Sequence, residues 1–365
     1  MRTLRGVDRM QQNLLIGFLG ADWWGSDARA LAGEFRRSGH LLIERHYEDH
    51  FPTRWRSFPL RAFRKLCRSW MSADYNHAID ELLEVDALDC LVVFKGMLVK
   101  SETLLKFSQK KIPIYCVYPD VSFRDHGENI WNCVSLYDCI FTTKSFHIED
   151  PELMQRAKRL ELVRHGYDPD VHRPVQLRED LAAFYGSDVA FVGVWSPKKE
   201  AIMRAIVEQL PNVKVKIWGN GWDKATPQVQ QCWARRGAYG DELAAIYCAA
   251  KINLGLLSEA GKGTTSGDLT TARTWQIPGC GAFLLHEDTA EVRAAFRADE
   301  EVGLFSDLTD LARKIRFYLE QPQLRLSIQQ KGHARSLQEP YSYRAMCEAI
   351  LRFHFSKQPP RKLAA

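Results

Sequence analysis

The sequence lacks long hydrophobic runs, paired cysteine motifs, a strong excess of either charge and, before its last few residues, any low-complexity tract. Nothing approaches the about 20 consecutive apolar residues that a membrane-spanning helix requires. The first apolar run, Leu14 to Leu19, follows a polar segment of mixed charge and is too short for a secretory signal core. The nine cysteines are odd in number and scattered singly without a C-x-x-C pair, a pattern that buried thiols in a reducing compartment explain better than a disulfide framework or a zinc site. Most stand in apolar, strand-like runs, so they are expected to be buried thiols of a cytoplasmic protein. Net charge is +5, from 50 basic and 45 acidic residues, too mild a balance to demand a nucleic-acid partner.

What is present is an alternation of short apolar runs and helix-period segments over 365 residues, a length that favours two domains. LLIGFL (Leu14 to Leu19), LLIE near Leu42, CLVVF (Cys90 to Phe94), IPIYCVY around Tyr115 and DCIFTT near Ile140 are strand candidates with helical stretches between them. LVRHGYDPDVHRP, from Leu162 to Pro174, breaks the rhythm with Gly, Pro and charge, as a linker does. The alternation resumes in Val189 to Trp195, Val213 to Gly219, Lys251 to Leu257, Gly281 to His286 and Val302 to Phe305, and ends in a helical stretch from Asp307 to about Phe355. The fold expected is α/β, two Rossmann-like doubly wound domains facing across a cleft. Residues 1–170 form the first domain and 171–340 the second, with 341–365 a C-terminal helix and tail packing back on the first.

The most informative segment is SEAGKGTTSGDLTTARTWQIPGCGAFLL, Ser258 to Leu285. A strand runs into a loop rich in Gly, Ser and Thr, and a helix is expected to begin near Asp268. Small residues such as Gly263, Thr264 and Thr265 let a ligand approach the backbone. The free N–H groups and dipole of a helix start favour a phosphate. Thr270 and Thr271 add hydroxyls and Arg273 a fixed charge; the alternative is a flexible loop with Asp268 as an N-cap. After the strand ending at Val194, W-S-P-K-K places Lys198 and Lys199 at another helix start, where neighbouring strand ends share one crevice. They neutralise a diphosphate there or are simply solvated. WGNGW offers Gly219 and Trp222 at a third strand end, with Trp222 available for stacking or for packing.

Here the residues resemble a family. RTWQIPGCGAFLL, Arg273 to Leu285, is similar to the R-x-F-E-x-P-A-x-G-A-F-x-L signature of CgeB-like (spore-maturation type) glycosyltransferases. The likeness continues through FSDLTDL, FYLEQP and YSYR downstream and DVAFVGVWSPKKEAIM upstream, and HGYDPDVHRP resembles the linker of two-domain GT-B glycosyltransferases. Together these cover about half the chain in the family's order. The resemblance implies a GT-B fold, a nucleotide-diphosphate sugar as co-substrate held by the C-terminal domain, an acceptor on the N-terminal one, no cofactor, and a hexosyl transfer without a metal. Gln276 stands where the family has the glutamate that contacts the donor ribose. It can still donate and accept hydrogen bonds but carries no charge, which leaves open a non-catalytic carbohydrate- or nucleotide-binding protein; a GT-B sugar-nucleotide epimerase is the other alternative.

In the first half, GADWWGSD supplies Gly20, Asp22, Trp24 and Gly25 to the loop after the first strand, with Ser26 or Asp27 as N-cap. A general base near an acceptor hydroxyl is usually Asp, Glu or His. Asp22, Asp120 and His126 are candidates because they follow strands, and Lys95 follows CLVVF, placed for a phosphate or carboxylate; each also has a purely structural reading. Asp168 and Asp170 form D-x-D in the linker, where Asp before Pro initiates turns, and no metal site is expected. Finally, Thr53 to Trp70 interleaves Arg54, Arg56, Arg61, Arg64, Lys65 and Arg68 with aromatic and aliphatic residues. That is either an amphipathic helix packed by its apolar face or a peripheral membrane contact.

Overall fold

A computed structural model describes residues 13–51 and 58–357. The chain divides into two compact units: residues 1–164 with 261–265 and 343–365, and residues 165–260 with 266–342.

Each unit is built on one wholly parallel sheet. In the first, β1 (Leu15–Gly20), β2 (Leu41–His46), β3 (Cys90–Phe94), β4 (Ile114–Tyr118), β5 (Cys139–Thr142) and β6 (Leu160–Leu162) lie in the order β2-β1-β3-β4-β5-β6. In the second, β7 (Ser187–Val192), β8 (Val215–Trp218), β9 (Ala250–Gly255), β10 (Leu284–Glu287) and β11 (Gly303–Phe305) lie in the order β11-β10-β9-β7-β8. The apolar runs are continuous because both faces of each sheet are covered. Side chains alternate between faces along a strand. Cys90 and Val92 of β3 therefore enter one core cluster while Leu91 and Val93 enter the other. Val189 and Phe191 of β7 part in the same way from Ala190 and Val192.

Ten of the eleven strands coincide with an apolar run named above; β6 does not, because its three residues abut the linker-like composition at Leu162. The last helical stretch is three helices, Leu308–Glu320, Pro322–Gln338 and Tyr343–Lys357, with Pro322 opening the second. The third belongs to the first unit, where Met346, Ile350 and Leu351 share a core with Leu31 and Phe35 of the helix Asp27–Arg37. Tyr115 on β4 meets His354 of that last helix through a 3.0 Å hydrogen bond. Among the described residues no helix is long and apolar enough to cross a membrane.

The order of strands decides where ligands can reach. In the first sheet it reverses between β1 and β3, in the second between β7 and β9, and at such a reversal the loops from the strand carboxyl ends diverge and leave a crevice.

Ile350 is fully buried in the first unit's core. Ile350→Ala is expected to cost about 2–5 kcal/mol of stability, and the neighbouring exposed Arg352→Ala about 0.5 kcal/mol or less, both measured by denaturant unfolding.

Candidate functional site

At the reversal of the second sheet, β7 leads through Ser196 into the helix Pro197–Gln209. Ser196 caps it by accepting from the Lys199 N–H, and Pro197 occupies the first turn, where its missing N–H costs nothing. This turn holds Lys198 and Lys199 at the strand end. Lys198 is already answered: its ammonium donates to Glu287 at the end of β10 at 2.6 Å, and its backbone N–H donates to Glu259 at 2.9 Å. Lys199 is different. Its Nζ reaches only the Ser258 hydroxyl, at 3.3 Å, and burial, with the charge of Arg273 adding to it, lowers its pKa to about 8.

Arg273 donates from Nη2 to the Leu256 carbonyl at 2.6 Å and from Nη1 to the Val192 carbonyl at 3.3 Å, so it braces the ends of β9 and β7. Its guanidinium lies over the Phe191 ring, 5.3 Å from the centroid, and its Nε is buried without a hydrogen-bond partner. Burial pulls its pKa below the usual arginine value. Neither Lys199 nor Arg273 makes an ion pair among the described residues. The carboxylates of Glu259 and Asp268 act on Lys199, and those of Asp268 and Glu287 on Arg273, only from a distance, so neither cation is held by a close carboxylate.

The helix that carries Arg273 begins at Ala272, four residues after the expected start at Asp268. Thr271 and Thr274 close a reciprocal cap: the Thr271 hydroxyl accepts from the Arg273 N–H, and the Thr274 hydroxyl accepts from the Thr271 N–H at 2.9 Å. Asp268 instead ties the loop base, accepting from the Ser258 N–H while its own N–H donates to the Ser258 carbonyl. Thr270 is buried. Gln276 is buried in the same helix, on the side of Arg273 one turn on. Gly263, Thr264 and Thr265 belong to the first unit, where Ser122 donates to the Lys262 carbonyl and Asp125 accepts from the Lys262 N–H. Thr264 turns its hydroxyl onto Gly261.

The loop after β8 is spent on backbone contact. Gly219 has φ +149°, and a Cβ there would fall 1.8 Å from the Gly193 carbonyl oxygen. Trp222, expected to be available for stacking, is fully buried against Phe191 and donates from its indole to Gly193 at 2.9 Å. It has no face for a ligand. Trp195 is the half-buried indole at this strand end, with its N–H on Glu200.

In the first unit, three candidates from separate segments converge. Lys95, immediately after β3 and in the left-handed region at φ +67°, pairs with Asp120 beyond β4. Asp120 also takes a 2.7 Å hydrogen bond from His126 Nε2. Burial opposes ionisation of Asp120, yet the hydrogen bonds and charges of His126 and Lys95 outweigh it and hold the carboxyl well below the usual range. The result is an imidazole oriented by a fixed carboxylate, the relation that prepares a histidine to accept a proton. Strained backbone at a non-glycine residue is a further mark of such places.

Asp22 stands apart from that cluster. Arg29 donates to it at 2.7 Å, and Trp24 lies exposed beneath the same arginine. Gly20 is required by packing, since a Cβ would meet that of Ala28 at 2.8 Å, and Gly25 turns the loop at φ +87°. Ser26 precedes the helix but gives its hydroxyl to Ala21 rather than capping. Asp22, Glu44 and His46 bring one ligand atom each within 4.8 Å of one another. Both carboxylates already pair with arginines, Arg29 and Arg36. Glu259 and Glu287, which organise Lys198, were not among the sequence candidates; their only signal was an acidic residue directly after an apolar run.

A family described as Glycosyl transferase-like matches residues 198–352. No curated protein matches the chain in sequence. Among solved structures, the chain is similar to sucrose-phosphate synthase from Thermosynechococcus elongatus, with TM-score 0.63 and 12% identity over 94% of this chain and 99% of that one. It is similar to HepE of Anabaena in complex with UDP-glucose, with TM-score 0.61 and 12% identity over 95% and 100%. A UDP-N-acetylglucosamine 2-epimerase gives TM-score 0.55 and 12% identity over 97% and 100%. The two parallel-sheet Rossmann-like domains are the fold these structures share, GT-B glycosyltransferases among them.

The depressed Asp120 carboxyl stabilises the fold above the unfolded carboxylate pKa of about 4, and that contribution is lost as pH falls through the lower folded value. Asp120→Asn is therefore expected to cost about 1–3 kcal/mol at neutral pH. The gap to the unchanged protein should close below about pH 4, as followed by urea unfolding across pH.

Proposed function

We propose that the protein is a nucleotide-sugar-dependent glycosyltransferase of the CgeB-like type, working without a metal in a reducing compartment. The observation that carries this reading is the pair Lys199 and Arg273, cations without ion pairs at the strand reversal of the second unit. The family match begins at Lys198 and includes both of these residues. A nucleoside diphosphate supplies the missing negative charge. As the sugar departs, charge grows on the phosphate oxygens, and fixed cations stabilise it most at that moment. Those cations take the place a metal would fill. In the first unit, His126 accepts the proton of the acceptor hydroxyl and Asp120 holds the ring and stabilises its charged form. Gln276 sits where the family contacts the ribose, and an amide serves that role by donating and accepting. The nine thiols, all free, suit reducing surroundings.

The nucleotide is expected to be UDP, as in the HepE complex. The same diphosphate site would serve a sugar-nucleotide epimerase, as one structural relative is named. Conversion of a UDP-sugar in the absence of any acceptor would establish that alternative.

Binding of UDP should raise the apparent melting temperature, whereas Lys199→Met should abolish the shift. Because free Lys199 titrates near 8 and the bound amine is charged, binding takes up a proton above that pH. Affinity should then fall by up to about tenfold per pH unit above about pH 8, a slope that calorimetry reads and that Lys199→Met removes. A binding curve flat in pH, or no binding of any of UDP, GDP, dTDP and CMP, would sink the assignment.

His126→Ala is expected to lower turnover by about 10²–10⁴ while UDP affinity stays unchanged, and turnover of the unaltered protein should persist in EDTA. Retained turnover in the variant would remove His126 from the chemistry.

A further inference from the structure

Between Phe51 and Ala73 the sequence carries six basic residues and no acidic one, although the whole chain has a net charge of only +5. The charge is therefore local, and the rest of the chain is close to neutral. Residues 52–57, including Arg54 and Arg56, lie outside the described structure, and the argument for a surface starts at Phe58.

Two short helices follow, Phe58–Leu66 and Arg68–Asp80. The second is anchored: Met71, Tyr75 and Ile79 are buried in the first unit, and Asn76 is fixed by bonds to the carbonyls of Ser72 and Leu98 and from Thr103. What precedes that anchor leaves several large apolar side chains exposed. Phe63 is 52% exposed, Leu66 84% and Trp70 70%, with Leu60 also exposed. At about 100° per residue, positions 59, 63 and 66 of the first helix fall on one narrow arc and positions 61, 64 and 65 on the opposite one, while Arg68 and Trp70 open the second helix. Lys65 and Arg68 are exposed as well. Exposed apolar side chains beside exposed basic ones are the two halves of an interfacial membrane segment.

We propose that residues 58–70 dock the protein on a bilayer surface rich in anionic lipid. Phe63, Leu66 and Trp70 enter the boundary between headgroups and acyl chains, where an indole is well placed. The basic residues meet the negative surface, each adding affinity that salt screens. Pairing of this face with its own copy would set four like charges against four with no acidic residue in the segment to answer them, which disfavours a symmetric dimer. The tie to the buried half of the second helix holds the stripe outward. Docking is independent of the transfer chemistry proposed above and is tested without substrate.

The test is flotation of the full-length protein with vesicles of pure phosphatidylcholine or of equimolar phosphatidylcholine and phosphatidylglycerol, at low and high salt. Partition to the anionic vesicles should exceed that to neutral ones by at least about tenfold and weaken with salt. Phe63→Ser with Trp70→Ser, and separately Lys65→Glu with Arg68→Glu, should each lower it by about tenfold or more while thermal unfolding stays unchanged. Equal partition to both vesicles, or double variants that float like the unaltered protein, would overturn the proposal. So would light scattering that finds a dimer dissolved by the Phe63 and Trp70 changes.

Discussion

The second unit turns on a single guanidinium. Arg273 binds a carbonyl at the end of β7 and another just past β9, the two strands between which the sheet reverses direction. Several neighbours exist in their present form because of it. Phe191 lies beneath it, and a Cβ at Gly193 would stand 2.6 Å from the Phe191 ring and 3.1 Å from Nη1. The threonine cap at Thr271 fixes the start of the helix that delivers it. A charge already committed to two carbonyls keeps its sign but gains no counterion. The brace and the unpaired charge are thus one feature, and burial together with the nearby Arg273 lowers the Lys199 pKa.

The first unit handles charge in the opposite way. Asp120 gathers an imidazole and an ammonium around one carboxylate, so its cluster is satisfied and polarised. One unit holds two cations without close ion pairs at its strand ends; the other fixes a histidine beside a carboxylate. The transfer proposed above would use both, one to stabilise a leaving anion and one to take a proton.

Much of this was legible in the sequence. CLVVF is β3 residue for residue, and the parallel sheets follow from continuous apolar runs separated by helical period. Lys95, Asp120 and His126 were each placed after a strand, yet only the fold shows that they meet, since the contact joins segments that no local pattern connects. The start of the helix at Ala272 was hidden because Asp268 and Thr271 are both good caps, and the choice rests on the hydroxyl of Thr274 three residues on. Trp222 and Gly219 look alike in sequence whether they face a ligand or a neighbouring loop; only the 1.8 Å approach to Gly193 decides it. The stripe at Phe63 and Trp70 has the period of a packed helix, and its exposure depends on what the rest of the chain leaves uncovered.

The helix Tyr343–Lys357 completes the core of the first unit, pairing Cys347 with Ser38 across 309 positions of sequence. During synthesis the second unit, apart from one five-residue excursion, is contiguous and emerges whole before that helix exists. The earlier-made unit must therefore wait on the ribosome with an open apolar flank, and the later-made unit is the first able to close. Vectorial translation and the order of folding run in opposite directions here, which makes the nascent first unit a natural client for chaperones.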